Sequence, residues 1–189
     1  LSGAGRKALR GPRGTGLLYV RRDFLPRLTP AFVDTYSAPL DAGGQPRLRV
    51  DAARFESAEA SLALRCGQAN ALQEALDIGL DAIRAQIDAT ARALRTELAA
   101  IAGIEVLDQG RDRSGLVSFN LAGQEASAVQ RALAAQGIVI GSNGVPYTPL
   151  DMNARGLAQI ARASVSYLTS TDEIDRLLQA LRTLARQGR

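Results

Sequence analysis

Apolar residues recur along this chain with two different periods. Leu80, Ile83, Ile87, Leu94, Leu98 and Ile101 follow three- and four-residue steps and predict a helix over residues 80–101. An earlier helical region is predicted over 52–76, with Ala60, Leu62, Leu64, Ala69, Leu72 and Leu76 as its apolar positions. A third helix is expected over 126–136, ending at Gly137, a residue type that helix C-termini favour. The last helix opens on Ser170 and Glu173, whose spacing is that of a capping box, and turns Ile174, Leu177, Leu178, Leu181 and Leu184 inward. Short apolar or alternating runs predict strands at 17–20 (buried, after a glycine turn), 104–107, 115–121, 138–140 and 161–167. Residues 22–50, rich in Pro and Gly, read as a crossing loop; 141–152 reads as an irregular loop and 154–160 as a short helical or turn segment. From residue 50 onward the order helix, helix, strand, strand, helix, strand, strand, helix fits an α/β layer of strands covered by helices.

Composition narrows the class. The chain has 189 residues, 46% hydrophobic and 22% charged, which fits a folded domain with a good core. No run of 18 apolar residues occurs, so no membrane-spanning helix is expected. The net charge is +4 and the pI near 9.8. The arginines are scattered and aromatic residues make up only 4%, which argues against a nucleic-acid surface. The single Cys66 excludes an internal disulfide and fits a reducing, cytoplasmic setting. With no His and one Cys, no metal site is expected.

One residue stands apart from this composition. Lys7 is the only lysine among 23 basic residues. Arginine stays charged, whereas a lysine amine can lose its proton and attack a carbonyl to form a Schiff base. The glycine run that follows, 11–16, lacks the Gly-Lys-Ser/Thr closure of a P-loop. It precedes a strand and not a helix, so it is not a dinucleotide fingerprint either.

Ala4-Gly5-Arg6-Lys7, followed after six residues by Gly14-Thr15-Gly16-Leu17-Leu18, resembles the cofactor-lysine signature of class V aminotransferases. These are fold-type-I enzymes that use pyridoxal 5′-phosphate (PLP). The far end agrees: residues 160–167 and 169–177 look like the family's C-terminal segment, in which a substrate-binding arginine on a strand precedes a capped helix. Arg54-Phe55-Glu56 resembles the entry into the family's small domain. The resemblance implies an α/β fold comprising the end of the large PLP-binding domain with its crossover, residues 1–48, and the small C-terminal α/β domain, residues 49–189. It implies Lys7 as the catalytic Schiff-base lysine, with Arg6, Gly14 and Thr15 meeting the cofactor's phosphate, and Arg162 holding the α-carboxylate of an amino-acid substrate. It further implies a homodimer with shared sites. Two departures stand out: many members have His where this chain has Arg6, and Ser or Thr where it has Ala4. The match is to the C-terminal half of a typical member. The chain starts inside a motif without Met, so a longer polypeptide is expected, and this stretch alone is expected to be inactive.

The resemblance leaves the reaction open between transamination and C–S lysis. Desulfurases of this class need a Cys on the loop before the substrate-binding arginine, and 137–162 contains none; Cys66 lies on a predicted helix far upstream. Desulfuration is therefore disfavoured. The Gly-Arg-Lys and Gly-Pro-Arg-Gly pattern resembles a subgroup that includes C–S lyases. Ser142, Asn143, Tyr147 and Thr148 lie where substrate selection would be expected. A non-catalytic scaffold remnant of the same fold is the alternative reading.

Overall fold

The computed structural model describes residues 1–187. The chain divides into two compact units, Leu1–Gly79 and Leu80–Arg189.

In the second unit, periodicity and burial coincide. Helix α2 (Leu80–Ala99) is followed by strands β3 (Ile104–Val106) and β4 (Leu116–Leu121), and then by helix α3 (Ala126–Ala134). Strand β5 (Gly141–Gly144), helix α4 (Pro149–Ala154), strand β6 (Gln159–Ser164) and helix α5 (Thr171–Gln187) complete the unit. The strands form one sheet in the order β3-β4-β6-β5, every neighbouring pair antiparallel. β4 alternates strictly, burying Val117, Phe119 and Leu121 on one face. Ala161 and Ala163 of β6 join them. This apolar face packs with Ala91, Leu94 and Leu98 of α2, Val129 and Leu133 of α3, and Leu177, Leu178 and Leu181 of α5. The opposite face is polar. Directly paired residues project to the same side of a sheet, so Ser118, Arg162 and Gly141 share it, with Asn120 and Asn143 two residues on.

Polar staples fix the ends of these elements. Arg95 of α2 pairs with Asp108 at 2.6 Å, both largely buried, and its guanidinium also donates to the carbonyls of Ser114 and Leu116. Asp108 accepts from the Ser118 amide in turn. The capping box is present: the Ser170 N–H donates to Glu173 Oε2 at 2.8 Å, and the Glu173 N–H donates to Ser170 Oγ at 3.2 Å.

The first unit holds its shape mainly through backbone turns and side-chain bonds. β1 (Ser2–Ala4) and β2 (Gly16–Leu18) pair antiparallel in register Ala4 with Gly16. Short 3₁₀ turns lie at Leu25–Arg27 and Ala52–Phe55, and helix α1 spans Leu62–Ile78.

Several sequence expectations need correction. The strand expected to be buried at 17–20 is shorter, and Leu17, Leu18 and Tyr19 are exposed, because it pairs only within a two-stranded ribbon. The single helical region at 52–76 is a 3₁₀ turn capped by Asp51 and a separate helix capped by Ser61. No residue of that helix is buried. Residues 138–140 are not a strand: Ile140 is buried and Val139 is exposed, and the strand begins at Gly141, where register with β6 begins. The loop expected at 141–152 is therefore β5 followed by α4, whose first residue, Pro149, has the fixed φ that suits a helix start. The helical or turn segment expected at 154–160 is the end of α4 and the start of β6.

Candidate functional site

The candidate site residues fall in both units. In the first, β1 runs into a loop closed on itself. The Gly5 N–H donates to the Thr15 carbonyl at 2.9 Å, and the Gly11 N–H donates to the Gly5 carbonyl at 2.8 Å. Thr15 Oγ1 donates inward to the Pro12 carbonyl at 2.7 Å. Gly5 is buried; a Cβ there would run into the Thr15 hydroxyl, with Gln68 Oε1 at 3.3 Å. Gly14 has φ +86°, which only glycine adopts without strain. Helix α1 braces the loop from beneath. Gln68 Nε2 donates to the Gly16 carbonyl at 2.9 Å, Arg10 pairs with Glu74 at 3.0 Å, and a Cβ on Gly67 would come within 2.7 Å of Pro12 Cγ.

Lys7 sits at the turn of this loop. Its N–H donates to the Ala4 carbonyl at 3.3 Å, and its carbonyl accepts from the Arg10 N–H at 2.9 Å. The side chain is exposed and enters no ion pair among the described residues. Arg6 beside it is exposed as well. The loop thus brings Lys7, Arg6, Gly14 and Thr15 together on one braced turn. From Leu1 to Arg22 the chain contains no acidic residue, while Arg6, Lys7, Arg10 and Arg13 are all cationic. A lysine amine amid arginines, next to a left-handed glycine turn, has the chemistry to meet a carbonyl-bearing anion.

Arg162 belongs to the second unit, at the middle of its sheet, between Ser118 of β4 and Gly141 of β5. Its guanidinium lies over Gly141: a Cβ built there would be 3.2 Å from Nη2 and 3.5 Å from Cζ. Asn143 Oδ1 would lie 3.4 Å from the same Cβ. Arg162 Nε and Asn143 Oδ1 are both buried with no hydrogen-bond partner. Sequence reasoning placed Asn143 in an irregular loop and gave Gly141 no role. The two-residue spacing of Gly141 and Asn143 was the available signal, legible only once β5 is known to be a strand.

A lysine on a glycine-shaped turn and an arginine in the sheet of a helix-covered α/β unit define a familiar class. The aminotransferase class-V family model matches residues 1–177, and the chain belongs to that family. Among curated relatives, a probable cysteine desulfurase of Mycolicibacterium paratuberculosis is 28% identical over 187 residues, covering 94% of this chain and 26% of the relative. A probable cysteine desulfurase of Staphylococcus epidermidis is 28% identical over 188 residues, covering 95% of this chain and 43% of the relative. The chain thus spans less than half the length of these relatives.

Among solved structures, the cystine C–S lyase C-DES, in complex with its reaction product cysteine persulfide, matches with a TM-score of 0.78 and 26% identity, over 95% of this chain and 45% of that one. A variant of C-DES carries glycine covalently linked to its PLP cofactor. The apo cysteine desulfurase of Thermococcus onnurineus NA1 matches with a TM-score of 0.85 at 23% identity, over 98% of this chain and 46% of that one, which establishes the shared fold. The fold type I architecture expected from the sequence is the one these proteins have.

Proposed function

We propose that this chain is the C-terminal portion of a PLP-dependent enzyme acting on an amino acid, with Lys7 as the residue that attaches to the cofactor. The observation that carries the reading is Lys7 itself: the chain's only lysine, exposed on a braced, acid-free loop inside the family match. Bound PLP supplies an electron sink for bond breaking at the amino acid's Cα. The Lys7 amine would hold it covalently and, as a free amine, would be the base that removes or returns the Cα proton. Arg6 and the backbone around Gly14 and Thr15 hold the phosphate. Arg162 holds the substrate α-carboxylate through paired N–H donors, which a lysine cannot copy. Residues 1–48 belong to the large domain and 49–189 to the small one, and the whole protein is a cytoplasmic homodimer with shared sites.

C–S lysis or transamination is the reaction this reading favours, and desulfuration is disfavoured. Although the curated relatives quoted above are named probable cysteine desulfurases, residues 137–162 contain no cysteine. Cys66, the only thiol, is exposed on α1. The neighbour C-DES, whose chemistry is C–S lysis on cystine, supports this choice. A scaffold remnant without chemistry would leave a lone lysine on a loop whose other charged residues are all arginines unexplained.

The test is borohydride reduction of the full natural gene product with PLP, followed by peptide mapping. The expected result is a pyridoxyl adduct on Lys7. A folded protein in excess PLP with no adduct there would sink the proposal in favour of the scaffold.

A further inference from the structure

Two buried polar atoms of the second unit lack a partner among the described residues, and both belong to side chains that border the space over Gly141. Arg162 Nε is a donor and Asn143 Oδ1 an acceptor. Buried polar groups are nearly always hydrogen-bonded, so a complementary pair left open calls for a reason. Both sit on the polar face of the sheet, over Gly141, which faces Arg162 in the β5–β6 register. The neighbouring Asn120 is already engaged: its Nδ2 donates to the Gln159 carbonyl at 2.9 Å, and its Oδ1 accepts from the Ala161 N–H at 3.3 Å. Asn143 Oδ1 is an uncommitted side-chain acceptor that borders the same space as the guanidinium. Gly141 supplies the space, because any side chain there would meet Nη2 and Cζ first.

We propose that Gly141 and Asn143 are the positioning residues of Arg162. Gly141 lets the guanidinium lie flat against β5, and Asn143 Oδ1 accepts a hydrogen bond from it when a carboxylate is bound. A guanidinium has five N–H donors in one plane, and a carboxylate takes two along one edge. The Nε atom is enclosed, so the carboxylate meets the Nη edge, and Asn143 fixes the plane in which that edge is presented. The inference rests on the reading of Arg162 as the carboxylate anchor and adds how this chain holds it.

The test uses the full-length, PLP-loaded protein with L-cystine and L-cysteine as probes. The dissociation constant is read from the cofactor's absorbance change, alongside KM and kcat. Asn143→Ala and Gly141→Ala are each expected to raise the dissociation constant and KM about tenfold, equivalent to about 1.4 kcal/mol, with kcat within about twofold of the parent. Asn143→Asp, which keeps an acceptor oxygen, should bring both constants back towards the parent values. Arg162→Gln should weaken binding by more than about 100-fold, and adding Asn143→Ala to it should change nothing further. Unchanged binding in Asn143→Ala, with loss in Arg162→Gln, overturns the proposal and leaves the anchor standing. A fall in kcat at constant KM also overturns it. Unchanged binding in Arg162→Gln, or no saturable response of the parent to either probe, removes the anchor and the proposal together. If Asn143→Ala does not fold, unchanged binding in Gly141→Ala overturns the proposal on its own.

Discussion

Helix α2 buries Ala91, Leu94 and Leu98 beneath its sheet, whereas α1 buries none of its residues and leaves Leu62 and Leu76 mostly exposed. Both helices carry leucines at helical spacing. The difference lies in what surrounds them. α2 belongs to a unit in which three helices converge on one apolar sheet face. α1 belongs to a unit whose buried apolar side chains are Leu25 and Ala38, and it serves as a brace for the Lys7 loop through Gln68, Gly67 and Glu74. One unit is organised around a core. The other is organised around a loop, held by hydrogen bonds and glycine geometry, that displays one amine.

The sharpest way to break this contrast is at Lys7. In the full-length protein, Lys7→Ala should cost at least about 100-fold in turnover, the lower end of what a proton-transferring group contributes. Melting of the cofactor-free protein should shift no more than an ordinary surface substitution allows, about 0.5 kcal/mol. Retained turnover would show that the loop does not carry the chemistry.

The same truncation made in each helix compares the units directly. Leu94 is fully enclosed, so Leu94→Ala should destabilise the protein by about 2–5 kcal/mol through lost transfer energy and the cavity left behind. In the 189-residue chain Leu62 is 75% exposed, so Leu62→Ala made in that chain should fall within about 0.5 kcal/mol. Denaturant titration of both variants decides; equal losses would mean that α1 also carries core energy. A smaller effect is expected at the mouth of α5. Ser170→Ala removes the acceptor for the Glu173 N–H and should cost about 1 kcal/mol by the same measurement. It should also raise the pKa of the Glu173 carboxyl only part of the way, because the hydroxyl is lost while the Ser170 N–H, the larger cause, still holds it below its usual value.

What could be read in advance follows the same division. α2, β4 and α5 were legible because their apolar period is also their burial pattern. β5 was not: Gly141-Ser142-Asn143-Gly144 carries no apolar signal, and it is a strand only because its backbone pairs with β6. The start of the first helix was misplaced because Asp51 and Ser61 each cap a separate element, a local choice that periodicity does not register. Lys7 stands out by composition as the chain's only lysine, but the role proposed for it comes from its flanking motif and the family resemblance. Arg162 was singled out by the same resemblance, whereas the closeness of Gly141 and Asn143 to it depends on cross-strand register.

The first unit's reliance on hydrogen bonds gives it a pH signature that the second unit's core lacks. The Asp34 carboxylate accepts from the N–H of Ala58 at 2.7 Å, the N–H and hydroxyl of Ser37 at 2.8 and 2.9 Å, and the N–H of Tyr36 at 3.0 Å. These bonds, that from Ala58 first, lower its pKa from 3.8 to about 2. A carboxylate whose pKa is depressed by folding contributes its full stabilisation above the unfolded value, and that contribution is lost as pH falls through the folded one. The tie between the Asp34 turn and Ala58 is therefore intact at neutral pH and weakens from about pH 4, disappearing below about pH 2. The amide resonance of Ala58, followed by NMR, should titrate with a midpoint near pH 2, and Asp34→Asn should abolish that titration. The amide of Phe119, enclosed in the other unit, should not follow it. A midpoint near 4 at Ala58 would mean the carboxylate is not held. A parallel shift at Phe119 would mean that the acid response belongs to the whole chain and that the contrast between its two units is false.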